Sequence, residues 1–209
     1  MRYTNKPFSE ACEQNKLPIL EVIGPTFAET ESVLEVGSGT GQHAVFFAAS
    51  MPHLRWQTAD VPDSHSGIRV WLEEAALPNV LPPIRLDVAG EWPRKTFDGV
   101  FSANTAHIMS LSEVEAMFRG VARVLRPDGL FALYGPFNYR GAYTSRSNAE
   151  FDRWLKARDP NSGIRDFEYL NVLAETLGLS LVADHAMPAN NRTLIWRKSS
   201  VRGGSRIED

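Results

Sequence analysis

The stretch SVLEVGSGTGQHAVFFA, residues 32–48, decides how the chain is read. Ser32–Val36 is an apolar run suited to a buried strand, and Gln42–Ser50, rich in Ala and Phe, reads as the start of a helix. Between them Gly37, Gly39 and Gly41 stand at alternate positions. A turn from strand to helix presents backbone N–H groups at a helix N-terminus, and glycine keeps side chains out of a ligand's approach. A dinucleotide fingerprint needs G-x-G-x-x-G, but here the third glycine comes one place early, with Gln42 where it should be. The Gly-Lys-Ser/Thr ending of a phosphate-binding P-loop is absent. Glu35 lies inside the strand, two residues before Gly37. An acid there repels a pyrophosphate, but it can take an ammonium group or orient the loop's own amides. The loop therefore favours a zwitterionic cofactor over a diphosphate one.

Working outward, apolar runs alternate with helical patterns. Residues 54–59 form a second strand that ends on Asp60, where a carboxylate can accept both hydroxyls of a ribose. A helix follows over 66–76, with Ile68, Val70, Trp71 and Leu72 on one face. Residues 84–86 form a third strand closing on Asp87, placed to meet an adenine amino group. Phe97–Ala103 is a fourth strand, and 112–125 an amphipathic helix capped by Ser112. Pro127-Asp128-Gly129 is a turn before a fifth strand at 130–134. After a helix over 166–177, residues 179–198 read as two strands joined by a Pro-Ala-Asn-Asn turn. Before all of these, Leu17, Leu20, Ile23 and Phe27 mark a helical cap over 8–30, split into two short helices by Pro18 and Gly24-Pro25. Such alternation implies an α/β fold: a mainly parallel sheet with helices on both faces, finished by an antiparallel hairpin.

The 209 residues, 43% hydrophobic and 22% charged, suffice for one domain over 1–198, with a polar, disordered tail at 199–209. A net charge of −3 disfavours a nucleic-acid partner. Cys12 is the single cysteine, so no intrachain disulfide forms, and a reducing, cytoplasmic setting fits. No apolar run is long enough for a membrane span. The five histidines lack a ligand spacing, and no metal site is expected.

Glu35-x-Gly37-x-Gly39-x-Gly41, then Asp60, then Leu86-Asp87-Val88, resembles the cofactor signature of class I S-adenosylmethionine (SAM)-dependent methyltransferases. That resemblance implies a Rossmann-like sheet of seven strands, one of them antiparallel. It implies that Glu35 steadies the methionine end of SAM, that Gly37, Ser38, Gly39 and Gly41 line it, that Asp60 takes the ribose, and that Asp87 with Val88 frames the adenine. Asn104 stands where such enzymes contact the methionine moiety or the acceptor, and Asn15 lies on a helix that can close over the cofactor. More narrowly, NKLPIL, SANTAHIMS, DPNSGIRD and MPANNRTLIW are similar to the methyltransferase-like 26 group.

Methyl transfer is largely a matter of positioning, and the acceptor side is expected after the fourth and fifth strands. His107 is the candidate general base, since an imidazole titrates near neutrality. Residues 135–166 are longer than a strand-to-helix connection requires and read as a substrate-side insertion. Within them Tyr139, Tyr143, Ser145 and Asn148 suit a small, partly apolar acceptor, and 148–156 reads as a helix. The missing Asp/Asn-Pro-Pro-Tyr pattern disfavours nucleobase amino groups. The reading is a methyltransferase acting on an O or N atom of a small molecule. A non-catalytic module that binds SAM or its product S-adenosylhomocysteine (SAH) is the alternative.

Overall fold

The computed structural model describes residues 6–200. Its helices are α1 (Glu10–Thr26), α2 (Gln42–Ser50), α3 (His65–Ala75), α4 (Leu111–Val124), α5 (Arg146–Arg158) and α6 (Phe167–Thr176). The strands are β1 (Ser32–Val36), β2 (Arg55–Asp60), β3 (Val80–Arg85), β4 (Phe97–Ala103), β5 (Leu125–Gly135), β6 (Phe137–Asn138), β7 (Arg165–Asp166), β8 (Leu179–Met187) and β9 (Asn191–Lys198). Seven of them make one sheet in the order β3-β2-β1-β4-β5-β9-β8, and β6 pairs with β7 apart from it. Neighbours among β1 to β5 run parallel, while β9 is antiparallel to both β5 and β8. This is the Rossmann-like, seven-stranded architecture expected, with the hairpin at its end.

Every residue of β1 is buried, because helices cover both sides of the sheet. On one side Ile19 and Ile23 of α1, its C-cap Phe27, and Ala44 and Phe47 of α2 pack on Trp56, Phe101 and Ile195. On the other, Val114, Phe118 and Val121 of α4 and Leu170 of α6 pack on Leu34, Val100, Phe131 and Trp196. An edge-to-face pair at 5.4 Å joins Phe118 to Phe131, and a second at 5.4 Å joins Phe118 to Trp196.

Local chemistry moves several boundaries. The helical cap is one helix, α1, with Pro18 and Pro25 inside it. Pro18 removes a single donor, the one for the Gln14 carbonyl, and Gln14 is exposed; Pro25 falls in the last turn. Burial of Ile19, Ile23 and Phe27 outweighs that loss. The third strand begins four residues earlier than expected and runs through Pro82 and Pro83. It is an edge strand, where a missing donor is tolerated. The ladder is bulged there, and the Gln57 and Thr58 side chains bond the Pro82 and Leu81 carbonyls at 2.8 Å each. The cap of α4 is Ser110, which exchanges bonds with Glu113 in a capping box. Ser112 and Glu115 repeat the same spacing two residues on, which is how the sequence misdirects. The Pro127-Asp128-Gly129 turn is a bulge within β5, where pairing steps from Phe97–Leu125 to Gly99–Leu130. At the start of the expected tail, Ser199 N–H bonds the Gly178 carbonyl at 2.9 Å, and Ser200 Oγ bonds Asp128 at 3.1 Å. Residues 201–209 of that expectation lie outside the described residues. No described helix is long and apolar enough to cross a membrane.

The Trp92 indole lies flat against α4 at Gly120, where an added Cβ would stand 1.9 Å from the ring. Trp92 is also held by its Nε1–H bond to the Val88 carbonyl at 3.0 Å. The Gly120→Ala variant is therefore expected to lose about 1–3 kcal/mol of stability through overpacking, despite its higher helix propensity. Urea denaturation checks this, and a variant as stable as the parent would refute the packing argument.

Candidate functional site

The loop after β1 turns through three left-handed glycines, Gly37 (φ 74°), Gly39 (φ 57°) and Gly41 (φ 90°). Two are also closed in by neighbours. A Cβ on Gly37 would meet Thr105 Cγ2 at 2.6 Å, and one on Gly41 would meet the Ile68 backbone at 3.1 Å. A Cβ on Gly39 would meet nothing within 4 Å, so its conformation needs glycine while that side of it leaves room for a ligand. Ser38 is buried, and its hydroxyl accepts the Ala59 N–H at 3.1 Å. Thr105 is pegged in turn: its hydroxyl meets Ser102 Oγ at 2.6 Å, and Ser102 bonds the Val36 carbonyl at 2.8 Å.

The acids differ sharply in environment. Glu35 is buried, with Trp56 Nε1–H donating to its Oε2 at 3.1 Å. Burial pushes its pKa up to about 7, against the opposing pull of Trp56 and of Ser38 beside it. Asp60 ends β2, and both of its oxygens hold loop amides: Oδ2 accepts Gly39 N–H and Oδ1 accepts Val61 N–H, each at 2.7 Å. Each oxygen keeps a further lone pair for a hydroxyl donor. Asp87 lies two residues beyond β3, exposed, and accepts the Ala89 N–H at 3.0 Å, while Val88 is buried in the core.

Gln42 stands where a dinucleotide fold would need glycine, and it has another use. Its Oε1 accepts Ser9 N–H at 2.5 Å and its Nε2 donates to the Ser9 carbonyl at 3.3 Å, which docks the N-cap of α1 beside the loop. Next to it His43 Nε2 donates to Asn15 Oδ1 at 2.7 Å. His43 stacks on Phe47 and is held neutral, its pKa lowered by burial to about 4. Burial raises the pKa of the Tyr134 hydroxyl, with Asn15 and Asn191 pulling the other way. The Tyr134 carbonyl accepts Asn104 N–H at 2.9 Å, and Asn104 itself is left-handed, φ 58°. Sequence reasoning singled out Asn15 and Asn104 but missed Tyr134, His43, Trp56 and Thr105. Their signal is only that polar or aromatic residues fall at strand ends and at a helix start.

The residues expected to meet an acceptor fall in different places. Tyr139 lines a cleft of about 390 Å³ with Thr144, Met187 and residues 190–192. Asn148 is buried and bonds Thr144 Oγ1 and the Asn190 carbonyl. Ser145 is the N-cap of α5, its hydroxyl accepting Asn148 N–H at 3.0 Å. Tyr143 points instead to Asp152, a buried carboxylate that also takes Lys156 and the Ile164 N–H. His107 is buried in a turn after β4, packed edge-on against Phe151 at 5.3 Å. Burial, and next the Arg165 charge, lower its pKa to about 4. The expectation was a base titrating near neutrality; in this buried place desolvation favours the neutral imidazole. A second cleft, of about 470 Å³, opens between Pro7, Gly39, Thr40 and the start of α3. Among the described residues no cluster of three or more His, Cys, Asp or Glu could hold a metal ion.

Several solved structures share the fold. An O-methyltransferase family protein from Burkholderia thailandensis superposes with a TM-score of 0.81 at 16% identity, covering 92% of this chain and 58% of that one. For the mitomycin 7-O-methyltransferase MmcR the values are 0.80, 16%, 90% and 54%. Human N-acetylserotonin methyltransferase, in complex with SAM, gives 0.76, 14%, 91% and 53%. The chain spans little more than half the length of these proteins, and at such identities the likeness is one of fold. A family profile described as "protein of unknown function (DUF938)" matches residues 6–198, and the chain belongs to that family.

Proposed function

We propose that this protein is a SAM-dependent methyltransferase that acts on an O or N atom of a small-molecule acceptor in the cytoplasm, without a nucleic-acid partner. The observation that carries the reading is the Gly39 position: a left-handed glycine with open space above it and its N–H fixed on the Asp60 carboxylate. The shared fold supports it, as do structural neighbours solved with SAM or SAH. The narrower resemblance to the methyltransferase-like 26 group belongs to the same proposal.

In this reading Gly37, Ser38, Gly39 and Gly41 line the methionine end of the cofactor, with Glu35 holding its ammonium group. Asp60 accepts the ribose hydroxyls, Asp87 and Val88 frame the adenine, and Asn15 and Asn104 close the methionine side. When bound, SAM supplies an electrophilic methyl group on a sulfonium sulfur. The chain's part is to orient the acceptor and keep water away. His107 serves as a packed wall there, since a neutral imidazole of pKa about 4 is a poor proton acceptor at pH 7.

Thermal unfolding with SAM, SAH, NAD and NADP side by side tests the cofactor. SAM and SAH are expected to stabilise the protein, by about 2.7 kcal/mol at a hundredfold excess over Kd; stabilisation by NAD alone would overturn the proposal. Asp60→Ala is expected to abolish the shift while circular dichroism stays native, and an unchanged SAH affinity would remove the ribose assignment. Transfer of labelled methyl from SAM into a metabolite extract separates an enzyme from a module that only binds SAH. Glu35 adds a pH dependence. Its carboxyl is protonated below about pH 7, so binding an ammonium must displace that proton. SAH affinity is thus expected to rise about tenfold from pH 6 to pH 8. In Glu35→Gln that slope should vanish, as calorimetry would show.

A further inference from the structure

The 390 Å³ cleft beside the hairpin turn has the properties of a small-molecule subsite, and its chemistry narrows what can occupy it. It lies at the C-terminal end of β5, where Gly135 pairs with Arg192. Its lining includes Tyr139, Thr144, Met187, Asn190, Asn191 and Arg192. Asn191 opens β9 immediately before Arg192, and its Nδ2 donates to the Pro188 carbonyl at 3.2 Å, which leaves its Oδ1 to accept from a ligand. On the other side of that pairing, the Tyr134 carbonyl next to Gly135 carries Asn104 N–H at 2.9 Å, which ties this end of the sheet to the loop after β4. Thr193, paired with Tyr134 across the strands, is fully buried, and its hydroxyl has no hydrogen-bond partner among the described residues.

Charge then decides the class. Arg192 is the only formally charged residue lining the cleft. Its Nε donates to Asp184 Oδ1 at 2.7 Å and its Nη2 to the Asp184 carbonyl at 3.2 Å, while Tyr139 OH donates to Asp184 Oδ2 at 2.8 Å. Arg192 and Asp184 balance each other inside the wall, so neither an anionic nor a cationic ligand finds an unpaired opposite charge to meet. What remains is the Tyr139 ring and the Met187 side chain, with hydroxyl and amide groups from Thr144, Asn190 and Asn191.

We propose that the methyl acceptor binds in this cleft, and that it is an uncharged, partly apolar molecule about one or two rings in size that offers a hydroxyl or amide edge to Asn191. This rests on the methyltransferase reading above. Asn191 is then a specificity-determining residue, in a segment outside the 135–166 insertion where substrate contacts were expected.

The test uses the full chain carrying ¹³C-methyl methionine, saturated with SAH, with the Met187 resonance assigned through Met187→Leu. Phenol, benzoate and benzylammonium are titrated as neutral, anionic and cationic probes of similar size. Phenol is expected to shift Met187 and to bind at least about fivefold tighter than either ion. In Asn191→Leu, whose backbone is extended and needs no special residue (φ −89°, ψ 171°), phenol affinity should fall about fivefold with SAH affinity within twofold of the parent. Tighter binding of benzoate or benzylammonium overturns the charge argument, and a Met187 resonance that none of the probes moves overturns the site. SAH affinity in the same samples reports separately on the methyltransferase reading, so the two can fail independently.

Discussion

The loop from Gly37 to Gly41 must reverse within a gap bounded by the end of β4 and the flank of α3, and the site depends on that constraint. Thr105 blocks one side at Gly37, and the Ile68 backbone blocks the other at Gly41. Ser102 and Thr105 fasten the ends of β1 and β4 to each other, so the gap cannot widen by sliding one strand. Only glycine meets both demands, conformational and steric, at these two positions. With the loop so fixed, α2 starts at Gln42, and Gln42 in turn sets where α1 docks. A single tight turn thereby places two helices and the two carboxylates that flank it.

Electrostatics in the site follow from the same crowding. Glu35 sits on a strand covered on both faces, so its charge has little solvation to draw on, and only Trp56 and Ser38 oppose the loss. Asp60, a strand away but half-buried, gives its oxygens to two backbone amides. Two acids beside one loop thus stand in different electrostatic states: Asp60 is bonded to backbone amides, and Glu35 is held by burial near the protonated form.

Most of the sheet was legible because each strand is a short apolar run bounded by turn residues. β1, β4 and α2 fall where Ser32–Val36, Phe97–Ala103 and Gln42–Ser50 were read. The acids at the strand ends were legible for a related reason, since a charged residue closing an apolar run marks where the chain leaves the core. The misreadings come from long-range terms. Pro18 looks like a break until the burial of Ile19 and Ile23 is known, and Pro82-Pro83 like a loop until Gln57 and Thr58 supply its bonds. The near-neutral titration expected of His107 is lost to walls that lie tens of residues away in sequence, Phe151 and Arg165. Tyr134 and Thr193 meet only through the antiparallel register of β5 and β9, which no local pattern announces.

The paired prolines of β3 also bear on how the molecule behaves in a crowded solution. That strand forms the outer rim of the sheet, where unpaired backbone donors invite a strand from another molecule to add on. Pro82 and Pro83 offer no N–H, and the bulge beside them breaks the flat line that a newcomer would need. Pairing along that rim is therefore hindered by covalent structure, which neither pH nor salt alters.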